Sequence, residues 1–128
     1  MLTPVPLRGP WRIVEMELWD RDFLDLVEPA HITLEDDGLG GFAFGAVQGW
    51  IDCRFSKVEG RHRVEFTWEG ADEGDPTSGR GWAMLVADDR LEGRLFFHLG
   101  DDSAFLAQRS PAPAKKRRSA PLIQNRAR

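Results

Sequence analysis

The sequence predicts a small all-β protein: an antiparallel up-and-down β-barrel of about eight strands with one short helix. Turn signals rich in Gly, Asp and Pro recur about every 8–12 residues, as they do in sandwiches and barrels. Apolar and polar side chains alternate within most of the intervening runs, which is typical of strands that bury one face. Short sequential connections favour a meander, and closing the meander removes edge strands that would otherwise pair with other chains.

The first elements are predicted from local composition. Residues 1–10 hold three prolines and predict an irregular lead-in. Residues 11–19 alternate and predict the first strand. Residues 20–27 change to helical spacing, with Asp20 as the N-cap and Pro29 as the stop. We expect this helical segment to close one end of the barrel.

Seven further strands follow along the chain. They are predicted at residues 30–35, 41–46, 47–55 and 62–69, with three more between 80 and 109. The acidic segment 70–79 is predicted to be the longest loop. One parity of the strands is apolar and must face the core. It comprises Val14, Met16, Leu18, Ile32, Leu34, Phe42, Phe44, Ile51, Cys53, Phe55, Val64, Phe66, Trp68, Leu91, Leu95, Phe97 and Leu99.

Charge divides the 128-residue chain into a body and a tail. Residues 110–128 carry six of the 17 cations and none of the 21 acids, so residues 1–109 have a net charge of −10. This balance excludes a uniformly basic, nucleic-acid-binding body. We expect residues 110–128 to form a disordered basic tail that contacts nucleic acid or an anionic surface weakly. The domain prediction is therefore a lead-in (1–10), a barrel (11–109) and a tail (110–128).

Composition also indicates the cellular compartment. The chain holds one cysteine, Cys53, so an intrachain disulfide is impossible and a reducing compartment is favoured. No apolar segment of membrane-spanning length and no signal peptide is recognised in the sequence. We therefore expect a cytoplasmic protein with no membrane span.

The second parity of the strands is charged and includes aromatic residues, and it provides the candidate binding surface. Aromatic and arginine side chains are the types enriched at interface hot spots. The leading hypothesis is a non-enzymatic binding or interaction module that uses this outer face, or the acidic segment 70–79, to bind a protein partner. The candidate binding residues are Trp50, Asp52, Arg54, Glu65, Glu69, Arg80, Trp82, Arg94 and His98.

Two alternatives remain open from the sequence. A barrel of eight strands can hold one small apolar ligand, so the protein could be a carrier. An enzyme of unknown type is the third hypothesis, but the sequence offers no catalytic motif. The three histidines lack metal-ligand spacing, and Cys53 lies on the apolar parity. No metal and no cofactor are predicted.

Two resemblances add expectations. Gly9-Pro10-Trp11 opens the first strand and Arg109 closes the last one, which resembles the Gly-x-Trp and terminal Arg of calycin barrels, the lipocalin, avidin and fatty-acid-binding groups. This resemblance implies that Trp11 packs against Arg109 across one barrel end. The chain is also similar to a group of small bacterial proteins through the segments WDRDFLDL, EDDGLGGFAFG, VEFTWEG and FFHLGDDSAF, and this second likeness implies no activity.

Overall fold

Eight antiparallel strands close into a barrel in chain order in the computed structural model, which describes residues 2–110. Each strand pairs with the next, and the last pairs back with the first. The predicted fold class is confirmed, whereas the predicted tail lies outside the described residues except for Ser110. The strands are β1 (Gly9–Met16), β2 (His31–Leu34), β3 (Leu39–Phe44), β4 (Val47–Val58), β5 (Arg61–Asp72), β6 (Asp75–Ala87), β7 (Arg90–Phe97) and β8 (Asp102–Arg109).

The prediction of a long loop at residues 70–79 is wrong. β5 continues to Asp72 and β6 begins at Asp75, so only Glu73-Gly74 connects them. Both turn residues have positive φ, 51° and 87°, as a two-residue type I′ hairpin turn requires. Pro76 lies next to the turn, where the missing backbone donor disturbs little of the ladder. The acidic residues of this segment therefore belong to a hairpin rather than to a loop that could serve as a separate binding element.

The predicted inward parity of the first strand is also wrong in part. Trp11 and Ile13 are buried, and a bulge between Ile13 and Glu15 shifts the register so that Met16 also faces inward. Val14 is the extra residue of this bulge. Leu18, predicted to face inward, lies beyond the end of β1 and is 49% exposed.

The prediction that Leu99, just after the end of β7, faces inward is also wrong. Leu99 is 96% exposed in the turn that leads to β8, with φ at 57°. The alternation that predicted its burial stops at Phe97, where β7 ends. Alternation therefore predicts facing only as far as the strand itself extends.

Aromatic rings occupy the barrel at the end where β1 stops. The rings of Trp19, Phe44, Trp68 and Phe97 contact one another at centroid distances of 5.1–6.3 Å. Glycines on the strands make room for such rings. A Cβ added to Gly49 would lie 2.4 Å from the Phe42 ring, so the ring occupies the space that a larger side chain at position 49 would need.

Helix α1 (Arg21–Leu24) closes this end, as expected. The Asp20 carboxylate accepts a hydrogen bond from the Phe23 backbone N–H at 3.0 Å, which confirms the predicted N-cap. Leu24 is buried, and its carbonyl accepts from the N–H of Gly45 at 2.8 Å. The Phe23 ring stacks on Trp19, so the helix extends the aromatic packing.

The opposite end is closed by the lead-in, which is more ordered than the sequence indicates. A 3₁₀ turn at Val5–Leu7 precedes β1, and Thr3 and Leu7 are fully buried. The Trp11 indole N–H donates to the carbonyl of Leu7 at 3.0 Å. The Arg109 guanidinium lies 4.2 Å from the centre of the Trp11 ring, so the contact implied by the calycin resemblance is present. No helix within residues 2–110 is long and apolar enough to cross a membrane.

Candidate functional site

The outer surface of the barrel has two chemically different halves. In the described residues, the outward-facing Trp and Phe side chains all lie on β4, β6 and β7: Trp50, Trp82 and Phe96. The outward positions of β8, β1, β2 and β3 hold no Trp or Phe. Six outward arginines lie on β4 to β7. Arg61 and Arg90 are at strand ends, and the other four lie in the rows of Trp82 and Phe96 or in the row next to them, namely Arg54, Arg63, Arg80 and Arg94.

Strand register places the predicted site residues in adjacent rows. One row runs Arg54, Glu65, Trp82 and Arg94 across β4 to β7. Side chains directly opposite each other on neighbouring strands lie about 5 Å apart, so this row is contiguous. The next row towards α1 runs Asp52, Thr67, Arg80 and Phe96. We call these two rows together with Arg63 the arginine–aromatic face.

The remaining predicted residues lie one row further towards α1. Trp50 pairs with Glu69, which pairs with Ser78, and the N–H of His98 donates to the Ser78 carbonyl. Trp50 is 69% exposed and stands between two surface depressions, of about 1140 and 580 Å³. All nine predicted site residues thus lie on one continuous patch, although their binding role stays a prediction.

Two arginines are stacked on aromatic rings. The guanidinium of Arg63 lies 4.9 Å from the centre of the Trp82 ring, and that of Arg80 lies 4.4 Å from the centre of the Phe96 ring. Arg63 and Phe96 were absent from the predicted site. Both lie on the outward parity of their strands, but only the cross-strand register shows which aromatic ring each arginine reaches. Stacking holds both guanidinium groups in defined planes.

Most of these arginines also make ion pairs. Arg54 pairs with Asp52 at 2.9 Å and Arg63 with Glu65 at 3.3 Å, each two residues away on the same strand. Arg94 pairs with Asp102 and, at 3.3 Å, with Glu17, and thereby ties β7 to β8 and to the end of β1. Because these pairs are partly or fully exposed, each contributes about 0–1 kcal/mol to stability.

Arg80 differs from the other three arginines. Within residues 2–110 no carboxylate lies within ion-pairing distance of its guanidinium. The side chain is exposed and borders a concavity of about 530 Å³. Asp52, Arg54, Arg63, Glu65, Trp82 and Phe96 share the lining of this concavity.

Cys53 lies beneath the same face and points into the barrel. Its side chain is 1% exposed, as the sequence predicted. The pKa of the thiol is raised to about 11, mainly because the side chain is buried and to a smaller extent by the charge of Asp52, while Arg54 opposes the shift. The thiol is therefore protonated at neutral pH and unsuited to nucleophilic attack.

The titratable groups on the other half of the barrel are scattered. The hydrogen bond from His31 lowers the pKa of Glu28, whose carboxylate lies 3.2 Å from the imidazole. Desolvation, with Asp37 and Asp36 nearby, raises the pKa of Glu35. Across residues 2–110, no group of three His, Cys, Asp or Glu side chains is close enough to hold a metal ion.

Comparison of the chain with protein-family models, with curated proteins and with solved structures returned no match. The geometry of the arginine–aromatic face is therefore the basis for the function proposed below.

Proposed function

We propose that the protein is a non-enzymatic interaction module that binds a protein partner on the arginine–aromatic face and the adjoining Trp50 row. The observation that supports this proposal is the asymmetry of the barrel surface. Outward Trp and Phe side chains and the arginines of the arginine–aromatic face share four adjacent strands, and three of these arginines line a concavity, while the other half has no outward Trp or Phe in the described residues. Aromatic residues and arginine are the types enriched at the centres of protein interfaces.

The strands that carry this face favour a rigid binding surface. β4, β5 and β6 are 12 or 13 residues long and pair along most of their length. Arg63 and Arg80 are held on aromatic rings, so a partner orders fewer flexible side chains when it binds. Less entropy is lost on association when a surface is organised beforehand.

The outer face is a better candidate than the barrel interior. A carrier of a small apolar ligand needs a cavity among the inward side chains. Rings of Trp19, Phe42, Phe44, Trp68 and Phe97 instead pack against one another there. The single buried cysteine is compatible with the reducing cytoplasm of a bacterial cell, which we propose as the compartment.

Site-specific photo-crosslinking tests this proposal. A benzophenone amino acid replaces Thr67, which is exposed on β5 in the row of Arg80, and in a control replaces Gln108, which is exposed on β8. We expect the probe at position 67, but not the probe at position 108, to crosslink to a defined protein in cells. Trp82→Ala should reduce that crosslink at least tenfold, while circular dichroism shows that the variant stays folded.

Two outcomes would contradict the proposal. One is crosslinking of the same proteins from both positions, because a specific surface should distinguish the two halves of the barrel. The other is a crosslink from position 67 that Trp82→Ala leaves unchanged. Charge reversal at Arg94 is a poorer test, since its pairs with Glu17 and Asp102 hold β7, β8 and the end of β1 together.

A further inference from the structure

The starting observation is that one guanidinium of the concavity has no carboxylate partner. Arg54 and Arg63 each lie beside an acid of their own strand. Arg80 has none among residues 2–110, yet its position is fixed by the Phe96 ring at 4.4 Å. An oriented, exposed and unpaired guanidinium can form two parallel hydrogen bonds with a planar carboxylate.

Resting on the proposed function, we infer that Arg80 anchors a single carboxylate of the partner, presented by a peptide segment whose adjacent side chain is apolar. The partner segment thus has the form of an Asp or Glu next to an aromatic or aliphatic residue. The carboxylate meets the guanidinium of Arg80, and the apolar side chain packs on the part of the Trp82 ring that Arg63 leaves uncovered.

The surrounding charges favour one carboxylate over a chain of phosphates. Asp52 lies two strands from Arg80 in the same row, about 10 Å away, and Glu65 lies in the next row. A single carboxylate at Arg80 meets neither acid directly, because Asp52 and Glu65 are paired with Arg54 and Arg63 and lie outside ion-pairing distance of Arg80. Successive phosphates of a nucleic acid would meet them, and would also meet a body whose net charge is −10 over residues 1–109.

The shape of the concavity favours a short apolar segment beside that carboxylate. Its volume of about 530 Å³ lies within the usual range for small ligand sites, of about 300–1000 Å³. Two of its lining side chains, Trp82 and Phe96, present aromatic surface that is only partly covered. Filling it with an apolar side chain removes that surface from water, and this supplies affinity that an exposed ion pair alone lacks.

Two capped hexapeptides test the inference on the full chain. One is acetyl-Ala-Ala-Glu-Phe-Ala-Ala-amide, and the other carries Gln in place of Glu. NMR of the isotopically labelled protein follows the Arg80 side-chain N–H and the Trp82 indole N–H during titration. We expect the Glu peptide to shift both signals and the Gln peptide to bind at least tenfold more weakly.

Variants at Arg80 and Arg90 distinguish a specific role of the Arg80 guanidinium from a general effect of positive charge. Arg80→Gln should weaken binding of the Glu peptide at least tenfold, and Arg80→Lys should recover only part of it. Arg90→Gln is the matched control, because Arg90 is exposed at the far end of β7, and it should leave the affinity unchanged. Equal binding of the Glu and Gln peptides, or no shift up to about 5 mM peptide, would overturn the inference.

A short oligothymidylate is the competing probe. If it shifts the Arg80 signal more strongly than the Glu peptide does, the anchor prefers phosphate and the inference is wrong. The crosslinking experiment distinguishes this failure from failure of the proposed function. Suppose that position 67 gives a Trp82-dependent crosslink but the Glu peptide gives no response. The proposal of a protein-binding face would then stand, and the inference that Arg80 anchors a carboxylate would be rejected.

Discussion

Cys53 and its two neighbours on β4 show how sharply the environment changes from one residue to the next. The side chains of Asp52 and Arg54 are 54% and 65% exposed, whereas that of Cys53 points into the core. This alternation could be predicted from the sequence, because the period of two along a strand fixes which side chains share a face. The ion pair between Asp52 and Arg54 could not, since either residue could have found a partner on a neighbouring strand.

The buried thiol predicts slow alkylation of the native protein. With a pKa of about 11 instead of 9.0, the thiolate fraction at pH 8 falls about a hundredfold, and burial adds a steric barrier. We expect iodoacetamide to leave native Cys53 unmodified by mass spectrometry, and to modify it fully in guanidinium chloride. Equal rates in the two states would show that the side chain is accessible.

The same pKa shift has a signed effect on stability. The folded state prefers the protonated thiol. The contribution of Cys53 to the free energy of unfolding is therefore fully present below the unfolded pKa of about 9, and it is lost as the pH rises towards 11. The difference in unfolding free energy between wild type and Cys53→Val should therefore be constant up to about pH 9 and shift in favour of the variant above it.

At the scale of elements, the sequence predicts strands well where the alternation is unbroken and poorly where the backbone departs from it. The bulge at Val14 changes which alternate residues of β1 face the core, and no residue type at this position predicts a bulge. The Glu73-Gly74 turn did have a signal. The same Glu-Gly pair forms the turn between β4 and β5 at positions 59 and 60, where a turn was predicted. Because Pro76 and several acidic residues surround the second Glu-Gly pair, the segment was predicted to be a loop rather than a tight turn.

Glycines within the strands predict a cost for added side chains. In Gly81→Ala the new Cβ would lie 2.5 Å from Cζ of Phe66 and 2.8 Å from the carbonyl oxygen of Arg94. We expect the free energy of unfolding in urea to fall by about 1–3 kcal/mol, as is usual for overpacked cores. Because Arg94 belongs to the arginine–aromatic face, this substitution should also weaken crosslinking from position 67.

Two variants test the cause of that loss. Gly100→Ala is the control, since its Cβ would lie 3.2 Å from Cβ of Phe97 in an exposed turn, and it should change stability by less than about 0.5 kcal/mol. Phe66→Leu removes the ring edge and should reduce the cost of Gly81→Ala in a double-mutant cycle. Purely additive effects would mean that the ring and the new methyl group do not compete for space.

At the scale of the whole molecule, the meander and its closure follow from the order of turn signals, but the arrangement of the site does not. Parity alone placed nine candidate residues on the outside. It could not distinguish Arg94, which is held by Glu17 and Asp102, from Arg80, which is free of such partners within residues 2–110. That difference depends on how eight strands align around the barrel, and Glu17 is far away in sequence.

Arg109 joins three distant parts of the chain at the barrel seam. Its guanidinium donates to the carbonyls of Pro6 at 2.7 Å, Arg8 at 3.2 Å and Asp88 at 3.0 Å, and it stacks on Trp11. The lead-in, the β6–β7 turn and the start of β1 therefore share one anchor, so the loss of this side chain should loosen all three together.

Arg109→Ala should accordingly lower the free energy of unfolding by about 1–3 kcal/mol, the sum of a few partly exposed hydrogen bonds and one cation–π contact. Arg109→Lys should recover less than half of the loss, because a single ammonium cannot reach three carbonyls and cover the ring at once. Arg90→Ala, at the same end of the barrel, is the control and should change little. Hydrogen exchange should show faster opening of residues 3–8 in Arg109→Ala only. If stability and exchange are both unchanged, the β1–β8 ladder alone holds the seam, and the Trp11–Arg109 contact is a consequence of closure rather than a cause.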